Sequence, residues 1–289
     1  MPTSTLRLFF AGTTRTPRAQ RRTTLMATMM ALTLILGGCA SNDDEDTYVE
    51  RPVSELYNNG MDALQAGENQ EAAKLFDEVE RQHPYSTWAS KAQLMAAYAH
   101  YLDNSYQDAI NALNRFIELH PGNRDIAYAY YLKALSYYER ISDVRRDQEM
   151  TVKARGALEE VVKRFPDSKY ARDARLKLDL TRDHLAGKEM TVGRFYLKNG
   201  HALAAINRFR NVIETYQRTS HVPEALHRLV EAYMMLGIRD EAKATAAVLG
   251  HNFPGSDWYV DSYELLTGKN LQPEADSNSW IGQAWDSLS

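Results

Sequence analysis

One cysteine, Cys39, occurs in 289 residues, and its thiol is the most reactive single group the chain offers. A lone cysteine has no partner for an internal disulfide and none for a cysteine-based zinc site. Its use must lie in its own nucleophilic sulfur. The other chemistry-bearing residues are scattered. The eight histidines show no metal-ligand spacing. His83, His120 and His251 each fall in the last turn of a predicted helix, where a histidine complements the helix dipole. Glu159 and Glu160 are adjacent on a helix, so their carboxylates point apart and form no acid–base pair. There is no phosphate-binding glycine loop, no G-x-S-x-G elbow and no H-E-x-x-H pair. The residue inventory therefore argues against an enzyme, and no metal or other cofactor is expected.

The neighbours of Cys39 say what its sulfur would do. Residues 1–24 carry Arg7, Arg15, Arg18, Arg21 and Arg22 and no acid. Leu25 to Leu36 ("LMATMMALTLIL") is an apolar run of twelve, too short to span a bilayer and the length of a signal-peptide core. The order Leu36-Gly37-Gly38-Cys39 resembles the bacterial lipobox. In that system the thiol takes diacylglycerol, the signal is removed, and the new amino terminus is acylated. Several acyl chains on one residue anchor stably where a single chain holds weakly. Cys39 is thus the expected lipid attachment site, with residues 1–38 as signal peptide. Ala40, rather than Asp, follows it, which for enterobacterial lipoproteins implies sorting to the outer membrane. Removing residues 1–38 takes five arginines and no acid, lowering the formal charge from −4 to −9. Such a chain has no bulk charge for nucleic acid or an anionic bilayer, so its membrane contact would run through the lipid alone. Residues 39–53, with "NDDED", read as a solvated tether.

From Ser54 the chain is patterned for helices, with apolar residues three and four apart and no strand signals. The pattern repeats. "EAAKLFDEVERQHP" (71–84), "DAINALNRFIELHP" (108–121), "KARGALEEVVKRFP" (153–166), "AAINRFRNVIETYQ" (204–217) and "EAKATAAVLGHNFP" (241–254) each carry alanine second: Ala72, Ala109, Ala154, Ala205, Ala242. The sixth position is Phe76, Leu113, Leu158, Phe209 or Ala246, and proline closes four of the five. Alanine lets two helices approach, the residue one turn later fills the space beside it, and proline stops the helix. Gly67, Gly200 and Gly237, five residues before their alanines, mark the turn between paired helices. This is similar to the tetratricopeptide repeat. It predicts an all-α solenoid of about five divergent helix pairs over residues 54–267. The alanines are spaced 37, 45, 51 and 37 residues apart. The 45 implies an insertion at residues 139–150, and the 51 implies one long helix over 170–199. Residues 268–289 are expected to be a polar, disordered tail, although Ile281, Ala284, Trp285 and Leu288 share one helical face.

Turn segments recur as "HPYSTWA" (83–89), "FPDSKYA" (165–171) and "FPGSDWY" (253–259). They predict N-caps at Ser86, Ser168 and Ser256 and packing between repeats by Trp88, Tyr170 and Trp258. "IAYAYYLKALSYYERI" (126–141) holds five tyrosines, too many for one core face. Tyr130, Tyr131 and Tyr138 are the candidates for a peptide groove, with core packing as the alternative.

With these segments in place, the chain over about residues 50–267 is identified as resembling the BamD (ComL) family of β-barrel assembly lipoproteins. The most specific segments are "FIELHPGNRDIAYAYYLKA" (116–134), "DVRRDQ" (143–148), "FPDSKYARDA" (165–174) and "LKNGHALAAINRFRNVIETY" (197–216). The resemblance implies a non-catalytic, lipid-anchored scaffold on the periplasmic face of the outer membrane. Its implied partners are the POTRA region of a BamA-like barrel, other lipoproteins of that complex, and unfolded outer-membrane protein chains. It carries partner binding onto Asn207 and Arg208 and onto Arg146 and Asp147. On a helical wheel Arg208 lies about 60° from Ala205, flanking the buried stripe, while Arg210 on the far flank is expected to tolerate change better. The alternative is a repeat lipoprotein that coordinates peptidoglycan synthesis with envelope constriction.

Overall fold

The computed structural model describes residues 50–286. Cys39, the proposed signal peptide and most of the tether lie outside the described residues. Twelve helices occur among those described. They are α1 (Val53–Gln65), α2 (Asn69–Gln82), α3 (Ala89–Leu102), α4 (Tyr106–Leu119), α5 (Ile126–Tyr138), α6 (Glu149–Arg164), α7 (Lys169–Lys198), α8 (Ala202–Thr215), α9 (Val222–Leu236), α10 (Arg239–Asn252), α11 (Asp257–Thr267) and α12 (Trp280–Asp286). From α1 to α11 each helix packs on the next, and from α3 onward each odd-numbered helix also touches the following odd-numbered one. That is a helix-pair solenoid, with α1 to α10 forming five pairs. No helix among the described residues is long and apolar enough to cross a membrane.

The alanine–apolar pattern sets this packing. All five alanines and all five sixth-position residues, Phe76 and Phe209 among them, are fully buried. In the first and fourth pairs the phenylalanine lies over a glycine of the partner helix. A Cβ on Gly193 would stand 2.4 Å from Phe209, and one on Gly60 would stand 2.8 Å from Phe76. The second helix of every pair ends alike, on a residue with φ between −125° and −133° and ψ between 40° and 57°. Four of those residues precede proline, which disfavours helical backbone before it. The fifth, Tyr216, adopts the same geometry before Gln217. The turn within a pair needs a left-handed residue, and glycine supplies it at Gly67, Gly200 and Gly237. In the second pair Asn104 holds that position at φ 60°, which asparagine tolerates better than most residues.

Ser168 and Ser256 cap α7 and α11, accepting from the backbone N–H groups of Ala171 and Trp258 at 3.2 and 3.3 Å, whereas the N-cap of α3 is Trp88 and not Ser86, which lies in the preceding turn and accepts from the Ala89 N–H at 3.1 Å. The aromatics after them pack between repeats: Trp88 on Tyr57, Tyr170 on Tyr131, Trp258 on His227. The insertion is the loop 139–148. Lys188 of α7 pins it through the carbonyls of Arg145 and Arg146, both at 3.2 Å. The 30-residue α7 serves two repeats, packing on α6 and then on α8.

The tail differs from expectation. It folds back and α12 packs on α10. Ile281 is fully buried, the Trp280 ring lies under the Arg210 guanidinium at 3.8 Å, and Trp285 meets Phe253 edge-on. Glu241 accepts from the Trp280 backbone N–H at 3.2 Å, and Lys243 pairs with Glu274 at 2.9 Å. A helix of this length is marginal in water, which is why the isolated segment reads as disordered. Here the last repeat supplies an apolar face and opposite charges for it to settle on.

Candidate functional site

Arg208 projects from α8 with 45% of its side chain exposed. Its Nη1 lies 3.1 Å from Glu189 Oε2 on α7, and Asn207 beside it is exposed. The carboxylate fixes the guanidinium while leaving other N–H donors to solvent. Arg210, expected on the far flank to tolerate change better, is engaged in the fold. It lies over Trp280 and 3.6 Å from Glu214, so replacing it would disturb the docked tail.

Arg146 and Asp147 are exposed on the inserted loop. Asp147 accepts from the Glu149 backbone N–H at 3.2 Å at the start of α6. The Arg146 carbonyl takes Lys188 and Gln148, so the backbone there is held from two sides.

The three groove tyrosines do not converge. Tyr130 is a correction: it is buried, against Phe165 at 5.3 Å and beneath Arg164 at 5.1 Å. Consecutive helical residues point about 100° apart, so Tyr131 faces elsewhere. Its hydroxyl donates to Asp173 at 2.5 Å, and its ring stacks on Tyr170. Burial pushes the Tyr131 hydroxyl well above the usual tyrosine range, and the Asp173 bond pushes it the same way. Burial works against the Asp173 carboxylate, yet hydrogen bonds from Tyr131 and Lys177 hold its pKa below the ordinary value. Tyr138 lies under Lys177 at 5.6 Å and forms one wall of a cleft of about 600 Å³. Leu180, Asp183, His184 and His221 line the same cleft, together with Ile141 and Val144 of the inserted loop.

A second cleft, of about 650 Å³, escaped the sequence reading. Met234 and Met235 of α9 line it, with Leu197 and Lys198 from the end of α7 and Leu265 of α11 and Lys269 just beyond it. Arg194 and Arg228 also reach it. Both are held by Glu224, at 2.8 and 3.5 Å, and Arg228 also pairs with Glu231 at 2.7 Å. The one local hint was "MML" (234–236) at the end of a helix that should have turned its last apolar residues inward. Met235 is 55% exposed and Leu236 41%. Among the described residues no group of three or more His, Cys, Asp or Glu is arranged to hold a metal ion.

A family model described as YfiO, an outer membrane lipoprotein, matches residues 49–249. Outer membrane protein assembly factor BamD of Caulobacter vibrioides is 54% identical over 252 residues, covering 86% of this chain and 82% of its own. BamD of Rickettsia prowazekii is 50% identical over 250 residues, covering 86% and 98%. BamD of Neisseria meningitidis serogroup A is 35% identical over 249 residues, covering 81% and 93%.

Proposed function

Because the chain belongs to the outer membrane lipoprotein family that includes BamD, we propose that it is a lipid-anchored scaffold for inserting β-barrel proteins into the outer membrane. The relatives are outer membrane protein assembly factors, and the role proposed for this chain is a scaffold's and not a catalyst's. Cys39 carries the acyl chains, and residues 40–53 tether the solenoid to the periplasmic face. Anchoring turns docking on a membrane-embedded barrel into an encounter at high effective concentration. Arg208 and Asn207 meet the POTRA region of a BamA-like barrel, with Arg146 and Asp147 as a further partner contact. Tyr131, Tyr138 and the repeats before α6 face unfolded outer-membrane chains. The other lipoproteins of the complex are further partners. No observation favours the peptidoglycan adaptor.

The observation that supports docking at Arg208 is its ion pair with Glu189. A guanidinium already oriented loses little freedom on binding, and its remaining donors suit a second carboxylate. The test is calorimetric titration of the full-length chain with the POTRA region of its own barrel partner at physiological salt. Arg208→Glu is expected to weaken binding about tenfold or more, since reversal leaves like charges at a desolvated contact. Its melting temperature should hardly move, because an exposed ion pair is worth roughly 0–1 kcal/mol. Arg172→Glu, at an exposed position near the start of α7, is the control and should bind as wild type. Equal binding by wild type and Arg208→Glu removes the docking assignment. It leaves the family assignment standing.

A further inference from the structure

We propose that the cleft between α7, α9 and α11 is a docking site for a peptide segment in which large apolar side chains stand between acidic ones. It goes beyond the Arg208 reading and uses none of its residues.

The floor is the end of α9, where Met234 and Met235 line the cleft. Methionine is flexible and polarizable, and it accommodates apolar side chains of differing shape. Met235 is 55% exposed, so this apolar surface stands open to solvent in the chain by itself. The walls are α7 and α11, which both pack on α9, and each brings one leucine and one lysine: Leu197 with Lys198, Leu265 with Lys269. Both lysines are exposed, and neither has a carboxylate partner within ion-pair distance among the described residues. One lysine thus comes from each of two walls, in a chain whose net charge is −4, and the one carboxylate on the lining, Glu231, is paired with Arg228 at 2.7 Å. Arg194 and Arg228, already neutralised by Glu224 and Glu231, stiffen the site.

This arrangement selects its occupant. An anionic lipid would need charge at one end of a long apolar slot. A cleft of about 650 Å³ with a lysine from each of two walls fits two or three side chains in the order acid, apolar, acid. Opposite charges at the rim would speed encounter and fix register, while the apolar side chains supply the holding contact.

The test uses the full-length chain and three fluorescein-labelled synthetic peptides, followed by anisotropy. The first carries Leu-Phe between two glutamates, the second has lysines for the glutamates, and the third has Ser-Ser for Leu-Phe. The expected result is saturable binding of the first alone. A Lys198→Glu/Lys269→Glu double variant should weaken it about tenfold or more, and added salt should weaken it as well. Met235→Ser should also weaken binding, with little effect on melting because the residue is exposed. The Arg172→Glu variant should bind as wild type. The proposal is overturned by no saturable binding of the first peptide, by equal affinity for all three, or by an unchanged affinity in the double variant. Phosphatidylglycerol vesicles that bind in a Lys198- and Lys269-dependent way while the first peptide does not would also overturn it.

Discussion

His227 is 5% exposed on α9, with Nδ1 2.9 Å from the hydroxyl of Ser262, itself fully buried on α11. Burial lowers its pKa below the ordinary 6.5 and outweighs the opposing charge of Glu231; Arg228 pushes it further down. Asp261 and Glu224 act weakly the other way. The folded chain therefore keeps the ring neutral where the unfolded chain would take a proton. The unfolded state binds more protons in that interval, so stability rises with pH across it. The contribution is intact above about pH 6.5 and is lost as pH falls towards the lower folded value. Wild type should lose thermal stability between about pH 7 and pH 5 more steeply than His227→Gln, which carries no titratable ring. Parallel slopes in scanning calorimetry would remove His227 as the cause. The same scale explains the divergence of Tyr130 and Tyr131. Their shared sequence context gives no reason to separate them, yet one helical step sends the first into the core and the second to Asp173.

At the scale of elements, the C-terminal segment is the informative case. Leu271 and α12 cover part of the last repeat, where the next repeat of a longer solenoid would otherwise bury the apolar face. Burying Ile281 and much of Trp280 gains a few kcal/mol, and ordering the segment gives a good part of that back. Deleting residues 270–289 is therefore expected to destabilise the C-terminal repeats by about 1–3 kcal/mol. That is a drop of several degrees in melting temperature for a domain of this size. Amide exchange in α10 should quicken at the same time. An unchanged melting curve and unchanged exchange would show that α12 contributes nothing to the fold. Trp280→Ala is the milder variant, because it removes the ring under Arg210 and leaves the chain length intact.

At the scale of the whole molecule, the proposed anchor at Cys39 and the solenoid are expected to be separable. Cys39→Ser should leave the repeats folded and melting as wild type, while the chain remains an uncleaved precursor that is not retained in the outer membrane. Serine is a far poorer nucleophile for the acyl transfer. Normal processing and fractionation of that variant would remove the lipid-anchor reading without touching the fold. The sequence by itself determined the helix pairs, their turns and their family. Alanine at the close contact, glycine or asparagine at a left-handed turn and proline after a helix act through their own backbone and their nearest neighbours. Those preferences are written locally and survive any change of surroundings. Tertiary structure alone decided which tyrosine is core, that Arg210 holds the tail through Trp280, and that Lys198, Met235 and Lys269 meet around one cleft. Each of these depends on how helices far apart in the chain rotate and pack against one another. That is settled by the fit of many side chains at once, and no stretch of sequence contains it.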